Sequence, residues 1–307
     1  MKRYAMLLGG LLISWTLTAA DAAGPRMSSP VLGYMFDDAA KAIRTISGVP
    51  GAASLGEAVP LPSAVTTAYV QSSAREAVVV TKEGEIALAS WTNDARVTVL
   101  ETTLTSLKLV AFSKSGTRFA LSEGPTVEVW KATGTPSLVS RYQADAGVTA
   151  LAVDNEGVVL AATEDKFVMR FSDHGSESLA NGADWSAVAF DGTDAIAVDT
   201  THNELVRIPA DGGRNVIAAL PEFVGALAVA ANGESFAVTL PTGLALVSAA
   251  GGITHVACDC QPKGLDALEG ILTVQIRGTS LLFDASTGVP QLTRVPSLIA
   301  VNAGGAN

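Results

Sequence analysis

The sequence predicts an all-β protein in which a unit of about 40 residues is repeated around a ring. Its apolar runs are short and rich in Val, they are bounded by Gly, Asp, Asn and Ser, and similar runs return at a regular interval. Runs of this length and punctuation are typical of β-strands rather than of helices. Four such strands in every unit indicate a β-propeller, whose blades are four-stranded sheets around a central channel.

The repeat is measured from the apolar residue that closes the first strand of each unit. These residues lie 37 to 42 positions apart and are Val70, Phe112, Val153, Phe190, Val229 and Leu268. In the third unit the predicted strands read "VTALAV", "GVVLAAT", "KFVMRFS" and "SESLAN", with turns at 155–157 and 173–175. A β-sandwich of tandem hairpins is the alternative fold, and the regular period argues against it.

The units resemble the divergent WD40/YVTN-like propeller repeat superfamily across residues 30–303, in spacing and pattern. Trp130, which ends "VEVW", lies where such repeats place their signature tryptophan. Lys131 follows it instead of the usual Asp, and no unit begins with Gly-His. The resemblance implies a propeller fold and says little about function, because one fold serves many functions.

The two chain ends predict how the ring closes after six complete units. Residues 30–48 resemble the outer strands of the last unit, since both segments carry Phe-Asp, a short connection and a strand that ends in Arg and a β-branched residue. Residues 297–301, "SLIAV", offer an inner strand. We therefore predict seven blades, with a three-stranded closing blade built from both chain ends that hides free strand edges. Six blades plus a separate hairpin is the alternative, and the Gly/Pro-rich residues 48–63 are predicted to be a connection.

The first 22 residues predict a secretory signal peptide. Lys2 and Arg3 precede an apolar run from 4 to 20, and small residues around Ala22 suit a signal peptidase. An uncleaved membrane anchor is the alternative, although the run is short for a span. The mature chain is predicted to be secreted or periplasmic without a transmembrane segment. It would comprise a linker at 23–29, one propeller domain at 30–303 and a tail at 304–307.

Composition and charge narrow the class of partner. The chain is 48% hydrophobic and 16% charged, which is typical of a folded domain with a large core. Of its 20 basic and 30 acidic residues, cleavage would remove Lys2, Arg3 and Asp21, which leaves a net charge of −11. An acidic protein disfavours nucleic acid, whose phosphates require Lys and Arg. The predicted partner is a protein or a small ligand, and the protein is predicted to be a monomer.

The sequence predicts no catalytic and no cofactor-binding residue. The polar residues of the inner strands do not make an acid–base pair or a metal site, and they are Thr66, Lys108, Thr149 and Ser186. Three acidic residues just after the inner strands are candidate calcium ligands at the channel mouth, and they are Asp154, Asp191 and Glu269. The competing interpretation is that such residues cap their own turns, because Asp side chains accept from nearby backbone N–H groups.

The histidines, tryptophans and cysteines are given structural roles. His174 and His202 are predicted in turns and His255 on an outer strand, so that they do not meet. Trp91, Trp130 and Trp185 are predicted to pack within blades. Cys258 and Cys260 are the only cysteines. In an exported chain we predict that they form a disulfide, with a bend before Pro262, and two free thiols are the alternative.

Three classes of function remain open from the sequence. The leading hypothesis is an exported, non-enzymatic scaffold that binds a protein or ligand, because the chain has no G-x-S-x-G, H-E-x-x-H or EF-hand pattern. The alternatives are a calcium-assisted hydrolase or lyase at the channel mouth, and a structural component of an envelope or secretion assembly.

Overall fold

A computed structural model describes residues 30–49, 51–71, 73–221, 227–229, 235–258, 265–267, 273–276, 281–284 and 291–296. Every helix or strand assigned within these ranges is a β-strand, and every strand pairs with its neighbour antiparallel. In this part of the chain there is no helix with the length and apolar character that a membrane span requires.

The strands form one three-stranded sheet and six four-stranded blades, each in the order of the chain. The N-terminal sheet contains β1 (Val31–Asp37), β2 (Ala42–Val49) and β3 (Ala52–Ala58). Blade 1 contains β4 (Val65–Gln71), β5 (Glu76–Thr81), β6 (Ile86–Ser90) and β7 (Arg96–Val99). Blade 2 contains β8 (Leu109–Phe112), β9 (Arg118–Glu123), β10 (Thr126–Lys131) and β11 (Ser137–Gln143). Blade 3 contains β12 (Val148–Val153), β13 (Val159–Thr163), β14 (Phe167–Ser172) and β15 (Gly175–Asn181).

The other three blades repeat this plan. Blade 4 contains β16 (Trp185–Asp191), β17 (Asp194–Asp199), β18 (Glu204–Ile208) and β19 (Asn215–Ala219). Blade 5 contains β20 (Leu227–Val229), β21 (Ser235–Leu240), β22 (Gly243–Ser248) and β23 (Ile253–Ala257). Blade 6 contains β24 (Leu265–Ala267), β25 (Thr273–Ile276), β26 (Leu281–Asp284) and β27 (Gln291–Arg294). The all-β class, the unit of four strands and the turns of the third unit are confirmed.

Seven apolar clusters join the sheets into a closed ring, and each cluster lies between two neighbouring sheets. The middle strands are buried on both faces because they are packed on either side. On β13, Val159 and Ala161 face blade 2, whereas Leu160 and Ala162 face blade 4. This explains the nearly continuous apolar runs in the sequence, and the arrangement confirms the propeller fold.

Hydrogen bonds at the same end of neighbouring blades reinforce their packing. Gln71 Nε2 donates to Ser113 O at 3.2 Å, from blade 1 to blade 2. The Ser115 hydroxyl donates to Asn155 Oδ1 at 2.6 Å, from blade 2 to blade 3. The partners are 42 and 40 residues apart. The sequence period therefore corresponds to the step from one blade to the next.

The prediction of seven blades, with a closing blade built from both chain ends, is wrong. The described residues hold six four-stranded blades, the number in the alternative prediction, and a three-stranded sheet whose strands all come from residues 31–58. That sheet is not a separate hairpin, because it packs between blade 1 and blade 6. Residues 297–301, the predicted inner strand, lie outside the described residues.

The third strand of this sheet arises where a Gly/Pro-rich connection was predicted. On β3, Ala53 and Leu55 alternate with more exposed residues and are 5% and 1% exposed. Leu55 also donates its backbone N–H to Pro296 O at 3.0 Å, next to blade 6. Gly48 has φ +124°, and an added Cβ would lie 2.4 Å from Ala52 O, so only glycine suits this turn. Contacts with blade 6 therefore override the local Gly/Pro signal.

Candidate functional site

The predicted polar residues of the inner strands lie at the start of those strands, where the sheet is irregular. The β4–β5 register shifts between Val65 and Thr67, so that Thr66 falls in a β-bulge. The registers of β12–β13 and β16–β17 shift at the equivalent positions, which places Thr149 and Ser186 in bulges too. Bulges of this kind redirect a side chain. Lys108 precedes β8 and is exposed.

Two of these hydroxyls are bonded to backbone and not to one another. Thr66 Oγ1 donates to Val80 O at 3.1 Å within blade 1. Thr149 Oγ1 donates to Trp185 O at 3.3 Å in blade 4. The two groups thus hold strands in place and do not form an acid–base pair.

The two candidate calcium ligands that the structure describes, Asp154 and Asp191, have separate partners. Asp154 Oδ1 accepts from the backbone N–H groups of Gly157 at 2.8 Å and Val158 at 2.7 Å, as a turn-capping Asp does. Asp191 Oδ2 lies 2.6 Å from Arg207 NH2 in an ion pair. Glu269 lies outside the described residues. No group of three or more His, Cys, Asp or Glu side chains suited to a metal occurs in the described part of the chain. The calcium site stays a prediction.

The histidines and tryptophans lie where the sequence predicts them. His174 and His202 are in turns, His255 is on the outer strand β23, and all three are exposed. Trp91, Trp130 and Trp185 are buried. Trp185 Nε1 donates to Lys166 O at 3.2 Å across the connection between blades 3 and 4. These tryptophans are part of the packing between blades.

A column of buried polar residues, which sequence reasoning missed, lies at or near the end of the second strand in five blades. Its members are at most 4% exposed and are Thr81, Ser122, Thr163, Asp199 and Thr239. Thr163 Oγ1 accepts from Phe167 N at 3.3 Å and donates to Phe167 O at 3.2 Å, which closes the following turn. Their spacing follows the 40-residue period, and that was the signal available in the sequence.

Asp199 is the charged member of this column and has two basic neighbours. It is fully buried, and its Oδ2 lies 2.7 Å from His202 Nδ1 and 2.7 Å from Arg214 NH2. Burial alone would raise the pKa of Asp199, but the hydrogen bonds from His202 and Arg214 outweigh it and hold the pKa below its ordinary value. Asp199 Oδ1 also accepts from the backbone N–H groups of Thr201 and His202, so this carboxylate caps the turn after β17.

Glu128 on β10 is a second fully buried carboxylate, and four residues donate to it. Thr102 Oγ1 lies 2.6 Å from its Oε2, and Arg141 NH2 lies 2.8 Å from its Oε1. Trp130 Nε1 donates to Oε2 at 3.1 Å, and the Thr103 hydroxyl donates to Oε1 at 3.0 Å. Burial would raise the pKa of Glu128, but these bonds hold it below its ordinary value. The network fixes the connection between blades 1 and 2 and is structural.

The pKa of Glu76, at the start of β5, is shifted upward, in contrast to the pKa values of Asp199 and Glu128. Burial raises its pKa from 4.5 to about 7, and the nearby charge of Arg96 offsets only part of this effect. The pKa of Glu76 is therefore higher in the folded state than in the unfolded state. For this reason the contribution of Glu76 to the free energy of unfolding is complete below pH 4.5 and is lost as the pH rises through about 7.

Replacing the carboxyl of Glu76 should therefore remove a loss of stability that the wild type shows between pH 5 and pH 8. We expect Glu76→Gln to melt at an increasingly higher temperature than the wild type as the pH is raised from 5 to 8. Thermal unfolding at several pH values measures the difference. The exposed Glu156→Gln is the matched control and should show no such trend. A Glu76→Gln difference that stays constant with pH would contradict the assignment.

Acidic side chains are concentrated on the loops at one end of blades 1 to 4. This end carries the connections between blades and the turns between second and third strands. The described loops at this end hold three lysines, Lys82, Lys108 and Lys166, and seven exposed carboxylates. We call these carboxylates the acidic rim, and they are Glu83, Glu85, Glu101, Asp145, Glu164, Asp165 and Asp184. The described loops at the opposite end of these blades hold five acidic and three basic residues, so the rim is the more negative end.

No family model and no curated protein matches the chain. Among solved structures, it is similar to a catalytically inactive variant of virginiamycin B lyase from Staphylococcus aureus with quinupristin. The identity is 12% and the TM-score 0.58, over 76% of this chain and 84% of that one. It is also similar to a chain of a mitotic checkpoint complex, with 12% identity and a TM-score of 0.58 over 94% and 100% of the two chains.

A third similar structure is PorZ, a surface component of the type-IX secretion system of Porphyromonas gingivalis. The identity is 11% and the TM-score 0.61, over 88% of this chain and 38% of PorZ. At such identities the three likenesses support the β-propeller fold and nothing finer. Membership of the WD40/YVTN-like superfamily itself stays a prediction.

Proposed function

We propose that this protein is an exported, non-enzymatic β-propeller that binds another protein through its acidic rim. The observation that carries the proposal is the excess of seven exposed carboxylates over three lysines on the rim loops. Loops on a rigid scaffold commonly carry binding function. A surface of one charge sign favours a partner of the opposite sign and speeds their encounter.

The polar groups inside the fold support a non-enzymatic role. Glu128 and Asp199 accept hydrogen bonds from residues that hold turns and connections. Asp154 and Asp191, the candidate calcium ligands, are bonded to a turn and to Arg207. A calcium-assisted hydrolase or lyase would need such oxygens free and directed at one point.

We place the partner in the cell envelope. The predicted signal peptide supports export, and PorZ, to which this chain is similar in fold, is a surface component of a type-IX secretion system. Export is tested on the full-length chain in its native cell. We expect N-terminal sequencing of the exported protein to begin after Ala22 or Ala23. Exported protein that retains Met1 would refute cleavage.

Binding through the rim is tested by affinity capture from the native envelope. The wild type should retain the same partner in repeated experiments, and Glu83→Gln/Glu85→Gln/Glu101→Gln should retain much less. The control Asp94→Asn/Asp173→Asn/Asp211→Asn removes three exposed carboxylates from the opposite end and should retain the wild-type amount. Equal capture by all three proteins would refute the role of the rim. Calcium bound in equimolar amount would favour the hydrolase or lyase alternative.

The predicted disulfide would form only if the protein is exported to an oxidising compartment. Cys258 follows β23, and Cys260 lies outside the described residues, so the bond stays a prediction. We expect the exported protein to have the mass of two hydrogens less than its reduced form. Because the loop is very short, the bond should contribute well under the roughly 2–4 kcal/mol of a longer one, and the double serine variant should melt almost unchanged. Alkylation of both cysteines in native protein would refute the bond.

A further inference from the structure

A cavity of about 170 Å³ lies on the side of blade 3 that faces blade 2, at the end that carries the acidic rim. Asp145 lies on the connection from β11 to β12, and Asp165 lies on the turn from β13 to β14. The remaining walls come from blade 3, so that the full lining is Asp145, Thr163, Asp165, Phe167, Met169 and Ser178. Residues of two chain segments about 20 positions apart thus share one concave site.

The walls combine negative charge with apolar surface. Asp145 and Asp165 are exposed, and within the described residues neither has a hydrogen bond or an ion pair. Phe167 and Met169 are half-buried, and Met169 packs against the core between blades 2 and 3. Strand alternation places Phe167 on the same face of β14. Thr163 Oγ1 is occupied by the backbone of Phe167. The charges at the mouth are therefore available, and the walls beside them are apolar.

The loops that carry the two carboxylates are held together. Glu164 donates its backbone N–H to Gly147 O at 2.9 Å, next to Asp145 and Asp165. The carboxyl of Glu164 also lies against Gly147, where an added Cβ would approach it to 2.8 Å. The two aspartates are thus positioned by a backbone contact between loops and not only by their flexible side chains.

We infer that this cavity holds a long cationic side chain, lysine or arginine, of the protein that the acidic rim binds. The inference rests on the proposed function. The cavity is smaller than the roughly 300–1,000 Å³ of small-molecule sites, and one side chain suits its size. Lysine and arginine pack a hydrocarbon stem on apolar surface while the charged end stays near water. Here the stem would lie on Phe167 and Met169, and the charge would lie between Asp145 and Asp165.

The test uses purified mature protein and labelled hexalysine, hexaarginine and hexaglutamate peptides, with binding followed by fluorescence anisotropy. The wild type should bind the two cationic peptides and not hexaglutamate. Asp145→Asn/Asp165→Asn should weaken that binding about tenfold, because two opposite charges are lost. Ser178→Phe keeps every charge but fills the cavity from an exposed strand position, and it should weaken binding to a similar extent.

The control Asp94→Asn/Asp211→Asn makes the same change of charge at the opposite end and should bind within about twofold of the wild type. The tighter of the two cationic peptides identifies the side chain. Wild-type affinity in either cavity variant, equal loss in the control, or no wild-type binding would overturn the inference. Envelope capture that persists in the cavity variants would leave the proposed function intact. Peptide binding through the cavity without any captured partner would refute the proposed function instead.

Discussion

Deleting residues 30–58 is expected to remove the soluble folded state of this protein. The deletion removes the N-terminal sheet, whose Ile43, Ile46 and Leu55 are at most 1% exposed between blades 1 and 6. Without it, apolar side chains of both neighbouring blades become exposed, among them Val65 and Leu282. Newly exposed apolar faces and strand edges favour aggregation. Size-exclusion chromatography and thermal unfolding measure the loss.

The matched control is removal of residues 1–29, which precede the sheet. That protein should remain soluble and melt like the mature protein. A point variant gives a graded result, because Leu55→Ala leaves a cavity against blade 6 and should cost about 2–5 kcal/mol of unfolding free energy. A deletion of residues 30–58 that stays soluble with an unchanged melting temperature would show that this sheet does not support the ring.

The repeating blades could be predicted from the sequence because their signals are local. In blade 3, short runs rich in Val and Ala are separated by turn residues, and the predicted "VTALAV" coincides with β12. The N-terminal sheet shows the limit of this reasoning. Glycine and proline on both sides of β3 indicate a loop, whereas contacts of Leu55 with blade 6 make it a strand. Those contacts join residues more than 200 positions apart, which no local pattern reveals.

Some features of the candidate site could likewise be predicted from the sequence, and others could not. The turn position of Asp154 was visible in the repeat, and turn capping was one of its two interpretations. The ion pair of Asp191 with Arg207, 16 residues later, depends on how the strands of blade 4 pair. The cavity beside Asp145 and Asp165 depends on how the connection from β11 to β12 lies against blade 3. Sequence patterns locate residues within a blade, and the properties of an interface between blades require the structure.

Replacing Glu128 is expected to cause a large loss of stability from a single polar side chain. Glu128→Ala removes the acceptor for Thr102, Trp130 and Arg141. Trp130 is 2% exposed, so its indole N–H would lose its partner without access to water. Breaking a buried charged network of this kind costs about 3–5 kcal/mol. Denaturant unfolding at neutral pH measures the change in free energy.

The pKa of Glu128 predicts how this loss of stability depends on pH. Because its folded pKa lies below 4.5, its contribution is complete above that pH and is lost as the pH falls through the lowered pKa. The difference between wild type and Glu128→Ala should therefore be largest near pH 7 and should shrink in acid. Glu101→Ala, which removes an exposed carboxyl from the same connection, should change the free energy by less than about 0.5 kcal/mol. A loss for Glu128→Ala as small as that of the control would mean that the connection between blades 1 and 2 is held by its apolar residues alone.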